Sequence, residues 1–225
     1  AVDCDFCATA SMGFMQNLSS GEIVDQVLQL SNRSSSKITN VVFMGMGEPF
    51  LNYQRVIEAA KIMNEKMKIG SRRITISTAG IVSKIYQMAD DKLPYKLAVS
   101  LNAPNDDIRK KIMPLTLTNP INELLKAAEY YYNKVRRFIT FEYVLLEDIN
   151  SNEECAYQLI QLLNNIPCKV NLIPYNEIGA SYSRPDNYTI NNFERILSEA
   201  PFTTTIRWSK GINIDAGCGQ LAVSN

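Results

Sequence analysis

The chain has 225 residues, of which 46% are apolar, and it carries 23 basic and 23 acidic side chains but no histidine. This length and composition suit one large α/β domain, and the zero net charge argues against a dedicated nucleic-acid-binding module without excluding a local basic patch. The absence of histidine excludes a Ser-His-Asp triad, a Cys-His dyad and a histidine-ligated zinc site.

The predicted elements alternate between helix and strand along the whole chain. The pair Ser19 and Glu22 has the spacing of a capping box at the start of the first long helix. Apolar periodicity predicts helices over 20–31, 56–67, 82–89, 105–112, 121–133, 153–163 and 190–198, and strands over 41–44, 73–78, 96–101, 137–146, 168–174 and 203–208. About six βα units predict a parallel sheet in a single domain, 1–225, as a full or partial (β/α) barrel or a doubly wound sheet.

Polar and glycine residues cluster just after the predicted strands, at the edge where parallel α/β folds place their chemistry. Gly47 and Glu48 suit an ammonium group, because glycine admits close approach to the backbone and the carboxylate accepts hydrogen bonds. An ordinary βα turn is the alternative. The strand-end stretches are 45–49, 77–78, 100–102, Asn171, Asn176 and the loop 217–219 around Cys218, and they include Gly47, Glu48, Ser77, Ser100, Leu101 and Asn102.

The five cysteines fall into three groups. Cys4 and Cys7 form a C-x-x-C pair, which is compatible with a redox pair, half of a zinc site or part of an iron–sulfur site. Cys155 and Cys168 lie in a predicted helix and at a strand start, so we predict that they are buried core residues. Cys218 stands between two glycines, where it is either a loop thiol without a role or a functional thiol at the site.

Three runs of basic residues stand out. The run 109–111 (Arg-Lys-Lys) follows two aspartates and is predicted to form a solvated helix face. The pairs Arg72–Arg73 and Arg136–Arg137 each lie at the start of a predicted strand. We predict that these pairs are solvated, with contact to phosphate as the alternative.

Taken together, these motifs resemble the radical S-adenosylmethionine (SAM) RNA methyltransferases that methylate adenine at C2 in 23S ribosomal RNA and in some transfer RNAs. The likeness runs nearly end to end, with several long motifs in the right order. It is carried by residues 4–9 (CDFCAT), 21–23 (GEI), 41–48 (VVFMGMGE), 72–78 (RRITIST), 100–105 (SLNAPN), 171–176 (NLIPYN) and 214–221 (IDAGCGQL).

The resemblance implies a radical SAM partial (β/α) barrel with a [4Fe–4S] cluster. Cys4 and Cys7 match the second and third cysteines of the family's C-x3-C-x2-C motif, so the first is expected one residue before Ala1. The 225 residues would then be the catalytic domain of a longer protein. With two of three cluster thiolates, this chain alone is expected to hold a cluster poorly and to be inactive.

The same resemblance assigns the SAM pocket and the methyl carrier. Cys218 matches a cysteine that is methylated by one SAM. A radical formed from a second SAM then takes a hydrogen from the S-methyl group, and the resulting carbon radical adds to adenine. Residues expected to bind SAM are Gly47, Glu48, Ser77, Ser100, Leu101, Asn102 and Asn176.

Several family features are expected upstream of Ala1. They are a small RNA-gripping domain, a proton-abstracting glutamate and a second cysteine that forms a disulfide with the carrier. Neither Cys155 nor Cys168 matches that second cysteine. Within the chain, Asn102 stands where the family usually has histidine.

The implied partners are 23S rRNA and tRNA as substrates and an electron donor such as flavodoxin or ferredoxin. We expect a cytoplasmic protein, because the sequence has no long apolar run, no signal-peptide pattern and no disulfide framework. We also expect a monomer. Three alternatives stay open: adenine-C8 methylation that confers ribosomal antibiotic resistance, a degenerate barrel that binds RNA without catalysis, and a zinc-binding structural domain.

Overall fold

A computed structural model describes residues 2–179, 181–209, 217 and 219–221. Six strands form one sheet in the order β1-β2-β3-β4-β5-β6, and each neighbouring pair is parallel. The strands are β1 (Val41–Phe43), β2 (Ile74–Thr78), β3 (Lys96–Ser100), β4 (Ile139–Leu145), β5 (Cys168–Pro174) and β6 (Thr203–Ile206).

The strands follow one another across the sheet in sequence order. A doubly wound sheet reverses its strand order at one point, so this topology excludes that alternative. Within the described residues β1 and β6 do not pair, and the fold is therefore a partial (β/α) barrel, as predicted.

Eight helices lie in the described part of the chain: α1 (Ala8–Ser11), α2 (Ser20–Arg33), α3 (Tyr53–Glu65), α4 (Val82–Asp90), α5 (Asp106–Ile112), α6 (Ile121–Val135), α7 (Glu153–Leu163) and α8 (Asn187–Leu197). Apart from the short α1, each contributes buried side chains to the molecule's interior. None of these described helices is long and apolar enough to cross a membrane.

Element boundaries follow local backbone chemistry. The predicted capping box is present, since the Glu22 carboxylate accepts the Ser19 N–H at 2.8 Å and the Ser19 hydroxyl accepts the Glu22 N–H. Helix α6 ends at Val135 and is capped by Arg136, whose left-handed backbone (φ 55°) delays β4 until Ile139, two residues later than predicted. The residues 71–73 form a 3₁₀ turn, so β2 begins at Ile74 rather than at Arg73.

The core has two unequal parts. The large one lies between the sheet and the helices, and it includes Cys155 and Cys168, whose predicted burial is confirmed. A second, small cluster packs around Phe6 at the carboxyl ends of the central strands, together with Ile112, Met113, Val144, Leu146, Ile173 and Tyr175. This small cluster anchors the segment that contains Cys4 and Cys7.

Candidate functional site

The C-x-x-C segment crosses the sheet at the carboxyl ends of its strands. The Asp5 N–H donates to the Ile112 carbonyl at the end of α5 (3.0 Å), and the Phe6 side chain is buried in the small cluster. The Cys7 N–H donates to the Cys4 carbonyl (3.1 Å), a turn that keeps the two cysteines close. Both cysteines line one pocket of about 410 Å³, with Asp5, Ala8, Ser11 and Ile178 among the other lining residues.

Both cysteines of this segment are free thiols. Burial, with a smaller contribution from the neighbouring Cys7, raises the pKa of the Cys4 thiol to about 12, while Arg109 opposes the shift. A bound metal favours the thiolate and would reverse this preference. In the described residues no three cysteine, aspartate or glutamate side chains lie close enough together to hold a metal ion.

Gly47 and Glu48 follow β1, and the two residues contribute differently. Gly47 has φ 119°, a backbone conformation that strains any residue with a Cβ. The Glu48 carboxylate is buried and accepts backbone N–H groups from Phe50 (2.9 Å) and Ala79 (2.6 Å). Burial raises the pKa of Glu48, and these two hydrogen bonds oppose that shift. The Glu48 side chain therefore links the end of β1 to the end of β2.

The residues that close β2 and β3 lie side by side along the same edge. Ser77 is buried, Ser100 is partly exposed, and the Leu101 side chain is fully buried in the core. The Leu101 N–H donates to the Glu142 carbonyl (3.0 Å) in β4. The Leu101 side chain therefore does not face a ligand at this edge.

Both polar atoms of the Asn102 side chain form hydrogen bonds within the protein. Its Oδ1 accepts the Val144 N–H (2.9 Å), and its Nδ2 donates to the Met113 sulfur (3.2 Å). Asn102 is buried and has φ 58°, a left-handed conformation that asparagine tolerates better than most residues. The Asn102 carbonyl accepts from Asn150 Nδ2 (2.7 Å). The residue thus joins β3 to β4 and to the end of α5.

The segment after β6 returns to the C-x-x-C segment. The Ala8 N–H donates to the Gly219 carbonyl (2.8 Å), and the Thr9 hydroxyl donates to the Leu221 carbonyl (2.6 Å). A Cβ on Gly217 would lie 2.9 Å from Asn176 Nδ2, so Gly217 packs directly against Asn176. Cys218 itself lies outside the described residues.

Arg109 corrects one prediction. Lys110 and Lys111 are exposed, as expected for a solvated helix face, but Arg109 is 0% exposed. Its guanidinium donates to the carbonyls of Ala79 (2.7 Å) and Ser100 (3.1 Å), and its Nε to that of Leu101 (2.9 Å). The remaining donor bonds Thr116 Oγ1 (3.0 Å) and the Asn119 carbonyl (3.2 Å).

This arrangement, which we call the strand-end clasp, consists of Arg109, Glu48 and the residue they share, Ala79. Arg109 bonds the Ala79 carbonyl and Glu48 bonds the Ala79 N–H, so two buried ionisable groups hold one residue from both sides. Burial lowers the pKa of Arg109 to about 10, which leaves the guanidinium charged at neutral pH. The clasp fixes the ends of β1, β2 and β3 relative to one another.

Two further polar residues were missed by sequence reasoning. Asn150 is fully buried and donates to the Asn102 and Val144 carbonyls, while its Oδ1 accepts the Leu146 N–H (2.8 Å). Glu142 lies in β4, where a lone carboxylate within an apolar strand was an available signal.

The Glu142 carboxyl is only half satisfied. Its Oε1 accepts from Asn171 Nδ2 (3.3 Å), and Asn171 in turn accepts a hydrogen bond from the Thr205 hydroxyl. Oε2 is buried without a hydrogen-bond partner among the described residues. Burial raises the pKa of Glu142, whereas Arg207 and Asn171 lower it.

The family model of the radical SAM superfamily matches residues 1–160. Over 223 residues the chain is 48% identical to the probable dual-specificity RNA methyltransferase RlmN of Thermoanaerobacter sp. (strain X514), an alignment that covers 97% of the chain and 64% of that protein. Its identity to the dual-specificity RNA methyltransferase RlmN of Alcanivorax borkumensis is 44% over 234 residues, covering 98% and 61%. The chain thus spans less than two thirds of the length of these relatives.

A solved structure shows the same fold at high similarity. The crystal structure of a radical SAM methyltransferase from Sphaerobacter thermophilus superimposes with a TM-score of 0.94 and is 44% identical. The match covers 98% of this chain and 66% of that one.

Removal of the clasp cation is expected to destabilise the protein severely. Arg109→Met leaves the carbonyls of Ala79, Ser100 and Leu101 without their donor, so we expect a loss of about 3–5 kcal/mol in the free energy of unfolding. Urea denaturation measures it, with the exposed neighbour Lys110→Met as a control that should stay within about 0.5 kcal/mol of wild type. Equal effects of the two substitutions would contradict the clasp.

The buried Glu142 carboxyl predicts a pH-dependent stability difference. Because the folded state holds the Glu142 proton more tightly than the unfolded chain, ionisation costs stability as the pH rises through the raised pKa. Glu142→Gln should therefore unfold at higher urea than wild type at pH 8. The difference should shrink as the pH falls below about 4.3, the ordinary glutamate pKa, because the unfolded carboxyl is then largely protonated as well. Glu147→Gln, in the exposed loop after β4, is the control, and a pH-independent difference for Glu142→Gln would refute the assignment.

Proposed function

The chain belongs to the radical SAM superfamily, and from this premise we propose that residues 1–225 form the catalytic domain of an RNA methyltransferase that adds a methyl group to C2 of adenosine. The observation that carries the proposal is the pair of hydrogen bonds from Ala8 and Thr9 to Gly219 and Leu221. They bring the C-x-x-C segment against the residues that flank Cys218. RNA methyltransferases that are 44–48% identical over nearly the whole chain supply the substrate class.

The donor chemistry of the C-x-x-C segment fits an iron–sulfur cluster. Cys4 and Cys7 offer two free thiols on one pocket, and thiolates are the ligands that iron–sulfur clusters use. These two cysteines would hold the cluster together with a third thiolate from outside the described residues. When bound, the cluster supplies the electron that cleaves SAM reductively.

The strand ends would bind SAM chiefly through their backbone. The Glu48 carboxylate already accepts two backbone N–H groups, and the Leu101 main chain is bonded to Glu142 and Arg109. Main-chain groups near Gly47 are left to meet the amino-acid end of the ligand. Ser77, Ser100 and Asn176 complete this edge with hydroxyl and amide groups. Asn102 contributes by shaping the edge, since its side chain is bonded to Val144 and Met113.

Cys218 is the proposed methyl carrier. Its thiolate would attack the methyl carbon of SAM, forming a sulfur–carbon bond at Cys218 while the bond from that carbon to the sulfonium breaks and S-adenosylhomocysteine leaves. A thiolate is well suited to this step because it is the most nucleophilic side chain near neutral pH.

The substrates and partners follow from the same proposal. The RNA substrates would be 23S rRNA and tRNA, as the family resemblance implies, and the relatives named dual-specificity RNA methyltransferases support RNA as the substrate class. A flavodoxin or ferredoxin would serve as electron donor, and the enzyme would act as a cytoplasmic monomer.

The assay uses the full-length protein, reconstituted anaerobically with iron and sulfide and supplied with SAM, a reductant and unmodified rRNA or tRNA. Digestion to nucleosides and mass spectrometry should reveal 2-methyladenosine. Cys218→Ala should abolish the product, because it removes the thiolate that accepts the methyl group. Cys155→Ala, which removes a buried core thiol, should retain it.

The other outcomes separate the alternatives. The 8-methyl isomer would assign the protein to the antibiotic-resistance activity. Absence of any methyladenosine from protein with an intact cluster would refute the proposed reaction. RNA binding without a cluster would instead support a non-catalytic RNA-binding barrel.

A further inference from the structure

Basic and acidic residues of this chain are distributed unequally between the two edges of the sheet. The connections that lead from each helix into the next strand all lie at the amino ends of the parallel strands, which we call the N-terminal edge. We count each connection from the first residue after the helix to the second residue of the strand that follows it. Counted in this way, the connections contain two acidic residues, Asp91 and Glu199. They contain ten cations: Lys37, Lys66, Lys68, Arg72, Arg73, Lys92, Lys96, Arg136, Arg137 and Lys169.

The opposite edge has the reverse balance. This edge comprises residues 2–7 and the described segments that follow each of the six strands, up to the next helix. These segments include two cations, Arg184 and Arg207. The seven acids there are Asp3, Asp5, Glu48, Glu147, Asp148, Glu177 and Asp186. A net charge of zero therefore conceals a strongly polar distribution.

The cations of the N-terminal edge are available to a ligand. All ten are exposed except Arg137, which is half-buried. The ion pairs found in the described residues join helix side chains elsewhere, Arg55 to Glu58 and Lys126 to Glu123.

Helix dipoles do not account for this distribution. The dipole favours cations within the last turn of a helix. Arg72 and Arg73, however, follow the end of α3 by seven and eight residues, and Lys96 and Lys169 lie within strands. These four cations create a positive surface that the fold itself does not require.

Exposed aromatic surface adjoins the cations. Phe138 is 55% exposed and stacks on Tyr132, with ring centroids 5.9 Å apart and planes at 13°, and the Arg136 guanidinium lies 5.9 Å from the centroid of the Tyr132 ring. Beside Phe138 lies a pocket of about 300 Å³ between the starts of β4, β5 and β6, whose lining includes Asn164, Asn165, Pro167, Phe202 and Thr203. Aromatic faces and amide groups next to cations are the components that bind single-stranded nucleic acid.

We propose that the N-terminal edge is an RNA-docking surface, in which the cations bind phosphates and Phe138 with the adjoining pocket takes an unstacked base. The inference rests on the proposed function, which supplies RNA as the polyanion. A seven-residue strand spans about 20 Å, so one RNA element can contact this edge while its target nucleotide enters the barrel. An acidic redox protein fits less well, because it must approach Cys4 and Cys7 at the opposite edge.

The test measures the salt dependence of RNA binding by the full-length protein. Fluorescence anisotropy with a labelled, unmodified tRNA transcript gives the slope of log K against log salt. Arg72→Gln/Arg73→Gln and Lys96→Gln/Lys169→Gln should each reduce that slope by about 0.7–0.9 for every phosphate that the variant no longer neutralises. Phe138→Ala should weaken binding about 5- to 150-fold and leave the slope unchanged, since it removes stacking and no charge.

The matched control is Lys110→Gln/Lys111→Gln, an adjacent pair of exposed cations on α5 near the other edge. Circular dichroism checks that each variant is folded. Unchanged slopes in the edge variants, or an equal reduction in the control, would overturn the inference. So would slower reduction by flavodoxin with unchanged RNA binding, which would assign the edge to a redox protein.

Methylation kinetics separate this inference from the proposed function. If the edge variants raise the KM for RNA and leave kcat unchanged, both stand. If wild-type protein forms methyladenosine and the edge variants bind RNA as wild type does, only the docking surface fails. If the edge variants weaken RNA binding but wild-type protein with an intact cluster forms no methyladenosine, the proposed function fails and the docking surface stands.

Discussion

The site edge of this barrel depends on two buried ionisable groups that hold the same residue. The Glu48 carboxylate accepts the Ala79 N–H, and the Arg109 guanidinium donates to the Ala79 carbonyl. Burying either charge alone would be costly, and the clasp offsets that cost by supplying charge-assisted hydrogen bonds to groups that would otherwise be unsatisfied. Because Arg109 also bonds Ser100 and Leu101, the ends of three strands are held as one unit.

An open barrel needs such side-chain links more than a closed one does. In the described residues β1 pairs only with β2, over three residues, so backbone hydrogen bonds give that edge little support. The clasp reinforces β1 to β3, and the Asn102 and Asn150 amides continue the same kind of link from β3 to β4. The side chains of Glu48, Arg109, Asn102 and Asn150 form hydrogen bonds within the protein and so hold the strand ends in place. Main-chain groups and small hydroxyls are left to face a ligand.

The sequence predicted where the candidate site residues lie in the fold better than what their side chains contact. Alternating helix and strand patterns locate the strand ends, so the residues near positions 47, 77, 100 and 176 could be assigned to one edge. Arg109 could not be assigned, because its neighbours Lys110 and Lys111 are solvated and nothing local shows that position 109 faces the sheet. Its partners Ala79 and Ser100 are distant in sequence, and only the packing of α5 onto β2 and β3 brings them together.

Net charge was the weakest of the sequence signals, for a reason that the topology makes clear. Net charge sums all the charges of the protein. A polyanion responds instead to the local electrostatic field, which decays over about 10 Å at an ionic strength of about 0.1 M. In a parallel α/β fold the helix-to-strand and strand-to-helix connections emerge at opposite edges, so any bias in their composition becomes a charge difference across the molecule. The acidic edge here carries the Cys4–Cys7 segment, and the cations lie a strand length away. Counting charge by type of connection, which needs only the predicted strands and helices, would have recovered this polarity from the sequence.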